Sequence, residues 1–251
     1  MKVILIVVDG MRPDAIEDMP QFQRMRAKGM YCGHTRTVMP SVTLPCHMSM
    51  FHSVDPQRHG VLTNIYTPQV RPVRGLFELL HQAGKTTAFF YNWEELRDIG
   101  RPGSLDHSLY VRNTGSDSDK YLADACREHL KTEEPDFTFL YMVNTDETGH
   151  DFGWMSPKYL KAASSAWDNI EEIAAELPSD FSLIVTADHG GHGRHHGTEL
   201  PEDMTIPLLC CGPDFTPEGS FDAASILDIA PTVVKLLGLA PDREWEGHPL
   251  I

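Results

Sequence analysis

The sequence predicts an α/β fold: three layers, α/β/α, around a mostly parallel central sheet. Three observations predict it. Short apolar runs recur through the 251 residues at Val3–Val8, Thr86–Tyr91, Phe137–Val143, Phe181–Ala187 and Ile206–Cys211. These runs are continuous rather than alternating and rich in Val, Ile, Leu and Phe, the pattern of strands buried on both faces. Helical patterns fall between them, and such alternation requires crossover connections, hence parallel neighbours covered by helices on both sides.

Taken in order, the opening MKVILIVVDG holds six apolar residues before Asp9. That is too short for a signal-peptide core or a membrane span, so it reads as a buried strand. A helical pattern follows at Met19–Lys28. Pro40 and Pro45 then bracket a tight extended turn, with a short helix expected at His47–Ser53. Helix patterns continue at Val73–Ala83, Asp119–Lys131, Pro157–Leu177 and Ala224–Leu237. Gly84 and Gly238 stand where helix ends favour positive φ. Residues 92–118 are polar, carry Gly and Pro and show no clear period, which suggests a small insertion or lid; an irregular surface loop is the alternative. No linker, repeat or low-complexity stretch divides the chain, so residues 1–251 are expected to form one catalytic domain.

Composition narrows the function. Hydrophobic residues make up 41% and charged residues 23%, as in ordinary globular proteins. The net charge of −15, without a Lys/Arg cluster, argues against a nucleic-acid polymer and against an anionic membrane as partner. Bound cations would offset part of that charge, so a small phosphorylated substrate fits if metals receive it. The five cysteines, Cys32, Cys46, Cys126, Cys210 and Cys211, are odd in number and lack a C-x-x-C pair. Free thiols in a reducing cytoplasm are therefore expected.

In open α/β sheets, ligands bind beyond the carboxyl ends of the strands. Three of the five proposed strands end in similar chemistry. Val3–Val8 runs into Asp9-Gly10, Phe137–Val143 into a segment holding Asp146-x-x-x-His150, and Phe181–Ala187 into Asp188-His189-Gly190, followed by His192, His195 and His196. Carboxylates and imidazoles form the ligand set of Zn²⁺ or Mn²⁺ in a hydrolytic site. Asp9, Asp146 and Asp188 would repel one another if they converged without cations, and two divalent ions would remove that penalty. Singly, each element is weak: an Asp at a strand end often forms an Asx turn or a helix N-cap. The weight lies in their joint occurrence.

A nucleophile candidate stands in Met39-Pro-Ser-Val-Thr-Leu-Pro-Cys-His47, where Thr43 would sit near a helix N-terminus, suited to a hydroxyl that attacks phosphorus. Thr43 or Ser41 as a plain N-cap is the alternative.

These residues, in this order, resemble the alkaline phosphatase superfamily: Val7-Val8-Asp9-Gly10, Thr43-Leu-Pro-Cys-His47, His59-Gly60, Asn64, Asp146-x-x-x-His150, Asp188-His189-Gly190 and His196-Gly197. Within it the order is similar to the nucleotide pyrophosphatase/phosphodiesterase branch. The resemblance implies an alkaline phosphatase-like fold and two divalent ions, zinc with manganese as the alternative. Asp146, His150 and His196 would hold one; Asp9, Asp188, His189 and the nucleophile Thr43 would hold the other. It also implies that Asn64, 21 residues after Thr43, donates a hydrogen bond to the phosphoryl oxygens, and that attack by Thr43 gives a phospho-threonine intermediate. His196 is preferred over His195 because it precedes Gly197; His192 and His195 remain as supporting or surface residues.

The chain departs from nucleotide-handling relatives at the residue after the nucleophile, often aromatic there and Leu44 here. Tyr91 and Trp93 follow a strand where such relatives place pocket residues, so Leu44, Tyr91 and Trp93 are the substrate-binding candidates, with a nucleotide among the possible substrates and core packing the alternative for both aromatics. Phosphonoacetate hydrolase-like cleavage and phosphomonoester hydrolysis are the enzymatic alternatives, and a catalytically silent metal-binding protein is the non-enzymatic one. Phosphoglycerate mutase-like and sulfatase readings are disfavoured, for want of a large inserted domain and of a C/S-x-P-x-R sequence.

Overall fold

The apolar run at the start of the chain becomes the middle of the sheet. A computed structural model describes residues 1–251, and its eight strands are β1 (Lys2–Val8), β2 (Gly29–Arg36), β3 (Thr87–Tyr91), β4 (His107–Tyr110), β5 (Phe137–Met142), β6 (Phe181–Thr186), β7 (Thr205–Cys211) and β8 (Gly219–Ser220). They lie in the order β4-β3-β5-β1-β6-β7-β2-β8. The pairings β4/β3, β3/β5, β5/β1 and β1/β6 are all parallel. Only β7 runs the other way, antiparallel to both β6 and β2. Val3 to Val8 are all at 0% exposure, which is why this strand reads as unbroken hydrophobicity.

Helices cover both faces. On one lie Pro20–Arg26, Ser116–Thr132 and Pro157–Glu176; on the other lie Thr43–His52, Leu76–Gln82 and Ile229–Leu236. Phe22 packs edge-on against Tyr31 and Trp167, at 5.0 and 5.1 Å between ring centres, joining the first layer to β2. Phe51 joins the second layer to the sheet, stacked on Phe77 and edge-on to Phe139. No helix is long and apolar enough to cross a membrane. All five cysteines are buried free thiols.

Four features differ from the sequence expectation, each for a physical reason. The strand β2 was not foreseen because it lies near the sheet's edge and mixes buried with exposed positions. Residues 92–118 are not a separate lid: after a 3₁₀ turn at Glu94–Asp98 they supply β4, the edge strand on β3, and Asp106 accepts a hydrogen bond from the Thr87 amide. The helix expected at His47–Ser53 begins four residues earlier, because a proline is tolerated in a first turn, where its missing N–H costs no helical bond. The pattern at Ala224–Leu237 divides into a 3₁₀ turn, Ile226–Asp228, capped by Ser225, and the helix Ile229–Leu236. Gly84 and Gly238 do adopt φ of +70° and +75° at their helix ends.

Ile4 pairs with Thr138 on one side and Leu183 on the other. Truncation to Ile4→Ala is expected to destabilise the protein by about 2–5 kcal/mol, through lost burial and the cavity left behind. Urea unfolding monitored by circular dichroism checks this, and a loss under about 1 kcal/mol would mean that β1 is not the closed centre described.

Candidate metal centre

Because β5, β1 and β6 are adjacent and parallel, the segments leaving their carboxyl ends are brought together. Asp9 follows β1, Asp188 follows β6, and the segment after β5 winds into the helix Asn144–Phe152. One turn of that helix places Asp146 and His150 on a single face, the i, i+4 relation. Gly10 makes the approach possible. Its φ is +65°, and a Cβ there would stand 3.0 Å from Asp146 Oδ1.

Two groups of donors result. Asp9, Asp188 and His189 each offer a ligand atom within 4.8 Å of the others, and so do Asp146, His189 and His196. His189 is common to both. Its Nε2 lies 3.3 Å from Asp9 Oδ1 and 3.5 Å from Asp188 Oδ2. His150 Nε2 is 3.4 Å from Asp146 Oδ2, and His196 Nε2 is 3.7 Å from Asp146 Oδ1. The grouping inferred from the resemblance put His150, not His189, with Asp146 and His196. In the structure His150 adjoins that group through the second carboxylate oxygen, from the solvent side, with 40% of its side chain exposed.

The imidazoles are oriented alike. His150 Nδ1 contacts the Arg194 carbonyl at 2.9 Å, His189 Nδ1 the Gly190 carbonyl at 2.8 Å and His196 Nδ1 the Ser41 carbonyl at 2.9 Å. A carbonyl can only accept, so each Nδ1 carries a proton. Burial disfavours a second proton on His189 and His196, whose Nε2 atoms present lone pairs to the carboxylates, whereas His150 Nε2 is hydrogen-bonded to Asp146. On the acid side, Asp9 Oδ1, Asp146 Oδ1 and Asp188 Oδ2 are buried without a hydrogen-bond partner. Their companion oxygens are engaged: Asp9 Oδ2 by the Tyr141 hydroxyl, Asp188 Oδ1 by the amides of Gly10 and His189, and Asp146 Oδ2 by His150. Three acceptor oxygens without donors, facing imidazole lone pairs, make a donor set suited to cations.

Proton affinities show the same strain. Burial, then the charges of Asp188 and Asp146, push Asp9 well above the usual carboxylate range, and burial raises Asp188. Burial also acts on Asp146, but the His150 hydrogen bond and the charges of His189 and His196 leave it below its ordinary value. That hydrogen bond raises His150 to about 9, whereas burial and His189 hold His196 down to about 4.

Thr43 opens its helix, is 4% exposed, and holds Oγ1 3.2 Å from His189 Nε2. Asn64 is exposed, and its Oδ1 accepts from the Leu44 amide at 3.0 Å, which leaves the Asn64 Nδ2 hydrogens directed elsewhere. The Leu44 side chain is fully buried, so the substrate-binding role expected of it is corrected to a backbone one: its amide orients Asn64. Tyr91 is likewise drawn into packing, stacked 4.5 Å from Phe89 and only 7% exposed, and Trp93 is part-buried against the core. His192 does not face the site. Its Nδ1 contacts Asp203, which also accepts from the Thr198 amide and hydroxyl and so braces the loop that carries His196. His195 is exposed on a tight turn.

Sequence reasoning missed two residues that touch the site. Tyr141, in β5, is fully buried and donates to Asp9. His47 donates from Nδ1 to the Thr43 carbonyl at 2.8 Å and stands 3.5 Å from Asp188 Oδ2. The available signal for His47 was spacing, since it lies one helical turn after Thr43; for Tyr141 it was only a hydroxyl within the mostly apolar run of β5.

The comparisons with known proteins bear on the family and the fold. A family model described as type I phosphodiesterase / nucleotide pyrophosphatase matches residues 3–83, and one described as the metalloenzyme superfamily matches residues 88–241. A 2,3-bisphosphoglycerate-independent phosphoglycerate mutase from Natronomonas pharaonis is 30% identical over 143 residues, covering 52% of this chain and 27% of the mutase. Ectonucleotide pyrophosphatase/phosphodiesterase family member 1 from Rattus norvegicus is 25% identical over 216 residues, covering 74% of this chain and 24% of that protein. This chain thus spans about a quarter of the length of either. Among solved structures, inactive murine ectonucleotide pyrophosphatase/phosphodiesterase 5 in complex with AMP superposes with a TM-score of 0.82 at 16% identity, covering 99% of this chain and 96% of that one. A phosphonate monoester hydrolase from Silicibacter pomeroyi shares the fold with a TM-score of 0.74 at 15% identity, covering 99% and 75%. With the second family model spanning more than half of the residues and the donor groups gathered at three neighbouring strand ends, the chain belongs to the metalloenzyme superfamily, the alkaline phosphatase superfamily.

Proposed function

We propose that this chain is a divalent-metal phosphoester hydrolase of the phosphodiesterase and nucleotide pyrophosphatase type, with Thr43 as its nucleophile. The observation that carries the reading is the place of the Thr43 hydroxyl: at the first turn of a helix, nearly buried, and 3.2 Å from the histidine shared by the two donor groups. The donor set fits two divalent ions, since it combines carboxylate oxygens lacking hydrogen-bond partners with imidazoles whose tautomer is fixed from behind. Asp9, Asp188 and His189 with Thr43 would hold one, and Asp146, His150 and His196 the other. Mixed oxygen and nitrogen donors favour zinc, with manganese second. When bound, the ions supply positive charge for the entering and leaving oxygens of an in-line displacement.

The remaining chemistry belongs to the chain. Thr43 gives up its hydroxyl proton to solvent, a loss that a bound cation beside Oγ1 would favour. Oγ1 forms a bond to phosphorus as the bond to the leaving oxygen breaks, and the leaving oxygen takes a proton from water. A second water then cleaves the phospho-threonine ester and returns a proton to Oγ1. Asn64, held by the Leu44 amide, donates from Nδ2 to the phosphoryl oxygens as their charge grows. Buried Leu44 and Tyr91 provide no aromatic face beside the nucleophile. The reading therefore commits to a small phosphodiester or pyrophosphate without naming a base, and phosphonate or monoester cleavage is the second reading, favoured by that same gap. The five free thiols suit a reducing compartment, and a cytoplasmic location goes with the reading.

Protein supplied with Zn²⁺ or Mn²⁺ is expected to hydrolyse bis-p-nitrophenyl phosphate faster than p-nitrophenyl phosphate or phosphonoacetate; a strong preference for either of the latter would transfer the assignment to the second reading. Thr43→Ala is expected to lower kcat about a thousandfold or more while calorimetry still counts two bound ions. Binding of two ions by a wild-type protein that cleaves none of these substrates would leave a metal-binding protein.

In Asn64→Ala, kcat should fall about 10²–10³-fold with bound metal unchanged, the usual cost of one donor to developing charge. Steady-state kinetics alongside metal analysis checks it, and a rise in KM alone would assign Asn64 to ground-state binding.

Metal affinity should depend on pH. His150 holds a proton up to about 9 in the metal-free protein, through its hydrogen bond with Asp146. An ion arriving at this position displaces that proton, so affinity rises with pH toward about 9 and levels off above it. Calorimetry in buffers of different ionisation enthalpy should detect proton release at pH 7.5 that diminishes near pH 10; pH-independent affinity would refute the expectation.

A further inference from the structure

Trp154 lies outside both donor groups, and none of the chemistry above uses it, yet it touches all three segments that carry them. The indole is 7% exposed. Its Nε1 donates to the carbonyl of Gly10, the residue after Asp9, at 2.9 Å; that same oxygen also accepts from the Tyr159 hydroxyl. The ring stands edge-on to His150, 5.0 Å between centres at 87°, and 5.9 Å from His196 at 64°. Its backbone amide donates to the Gly193 carbonyl at 2.8 Å, inside the loop between His189 and His196. The fit leaves no slack: a Cβ on Gly149 would come within 2.8 Å of the ring, and one on Gly191 within 2.2 Å.

We infer that Trp154 is a positioning residue that sets the spacing of the Asp146–His150–His196 donors against the β1 carboxylate. The contacts are lopsided, and that asymmetry gives the inference its content. The ring meets His150 and His196 directly, whereas it reaches Asp9 only through the Gly10 backbone. Asp188 and His189 are held instead by the Gly10 and His189 amides and the Gly190 carbonyl. Loss of the indole therefore frees His150 and His196 while the hydrogen bonds on Asp188 and His189 stay in place.

The inference rests on the two-ion reading above, so its test counts ions rather than turnover. Trp154→Ala and Trp154→Phe, with wild type as reference, are titrated with Zn²⁺ by calorimetry. Supporting variants of metal-ligating residues commonly changes affinity 10–100-fold. Trp154→Ala is expected to weaken one of the two binding events by that factor and leave the other within about twofold. Trp154→Phe, which keeps an aromatic ring but cannot donate to Gly10, should fall between. Gly191→Ala, which displaces the ring while retaining it, should reproduce the selective loss and remains informative if Trp154→Ala does not fold. Open-shell Co²⁺ gives a second readout: quenching of indole emission should accompany the event that the variants weaken, and the quenched component should be absent from Trp154→Phe. Equal weakening of both events, or of neither, in the variants that fold overturns the inference. A wild type that binds fewer than two ions overturns instead the reading on which it stands.

Discussion

Three carboxylates are buried at the ends of three neighbouring strands with too few hydrogen-bond donors to satisfy them. Asp9, Asp146 and Asp188 lie at 1%, 7% and 0% exposure, and one oxygen of each is without a hydrogen-bond partner. Charges in such a place must be neutralised, protonated or matched by cations. Burial first, and then neighbouring carboxylates, push the proton affinities of Asp9 and Asp188 upward, the direction that this crowding dictates. What surrounds these groups can be understood as the means of holding them together against their repulsion.

Those means are mostly backbone groups. Gly10 lets β1 turn so sharply that Asp146 can approach, and its amide binds Asp188. Three main-chain carbonyls, two on the Gly190–Arg194 loop and one at Ser41, fix the three imidazoles. The Leu44 amide orients Asn64. Backbone groups within a rigid sheet and its adjoining turns hardly shift, so the donors are preorganised, and little reorganisation remains for the moment when charge develops. Parallel pairing matters for the same reason: it places the turns after β5, β1 and β6 on one edge of the sheet.

The legible part of the fold followed from burial. Strands enclosed on both faces must be apolar throughout, so β1, β3, β5, β6 and β7 stood out, while β2, β4 and β8 lie toward the edges, mix polar with apolar residues and were silent. The reversal of β7 could not be read because an apolar run carries no direction. At the site, Asp9, Asp146, Asp188 and the histidines were visible as residues of one chemistry following strands. The sharing of His189 between both donor groups, and the roles of Tyr141 and His47, depend on which side chains meet across the sheet. That information lies in contacts between distant segments, not in local spacing. Leu44 shows the converse: adjacency to Thr43 suggested a pocket residue, but in a helix the next side chain turns about 100° away, here into the core.

The two donor groups also differ in their access to water, and on the proposed reading that difference divides the labour. The side chains of Asp9, Asp188 and His189 are between 0% and 2% exposed, and Thr43 beside them is nearly buried. The Asp146 group opens outward, with its His150 side chain 40% exposed. A nucleophile on the closed side competes with little water for phosphorus, which favours transfer to Thr43 over direct hydrolysis. The second step needs water, and the open side admits it. Trp154, only 7% exposed, packs edge-on against His150 and His196, so the exposed face of His150 lies away from the indole's contact with the buried β1 turn.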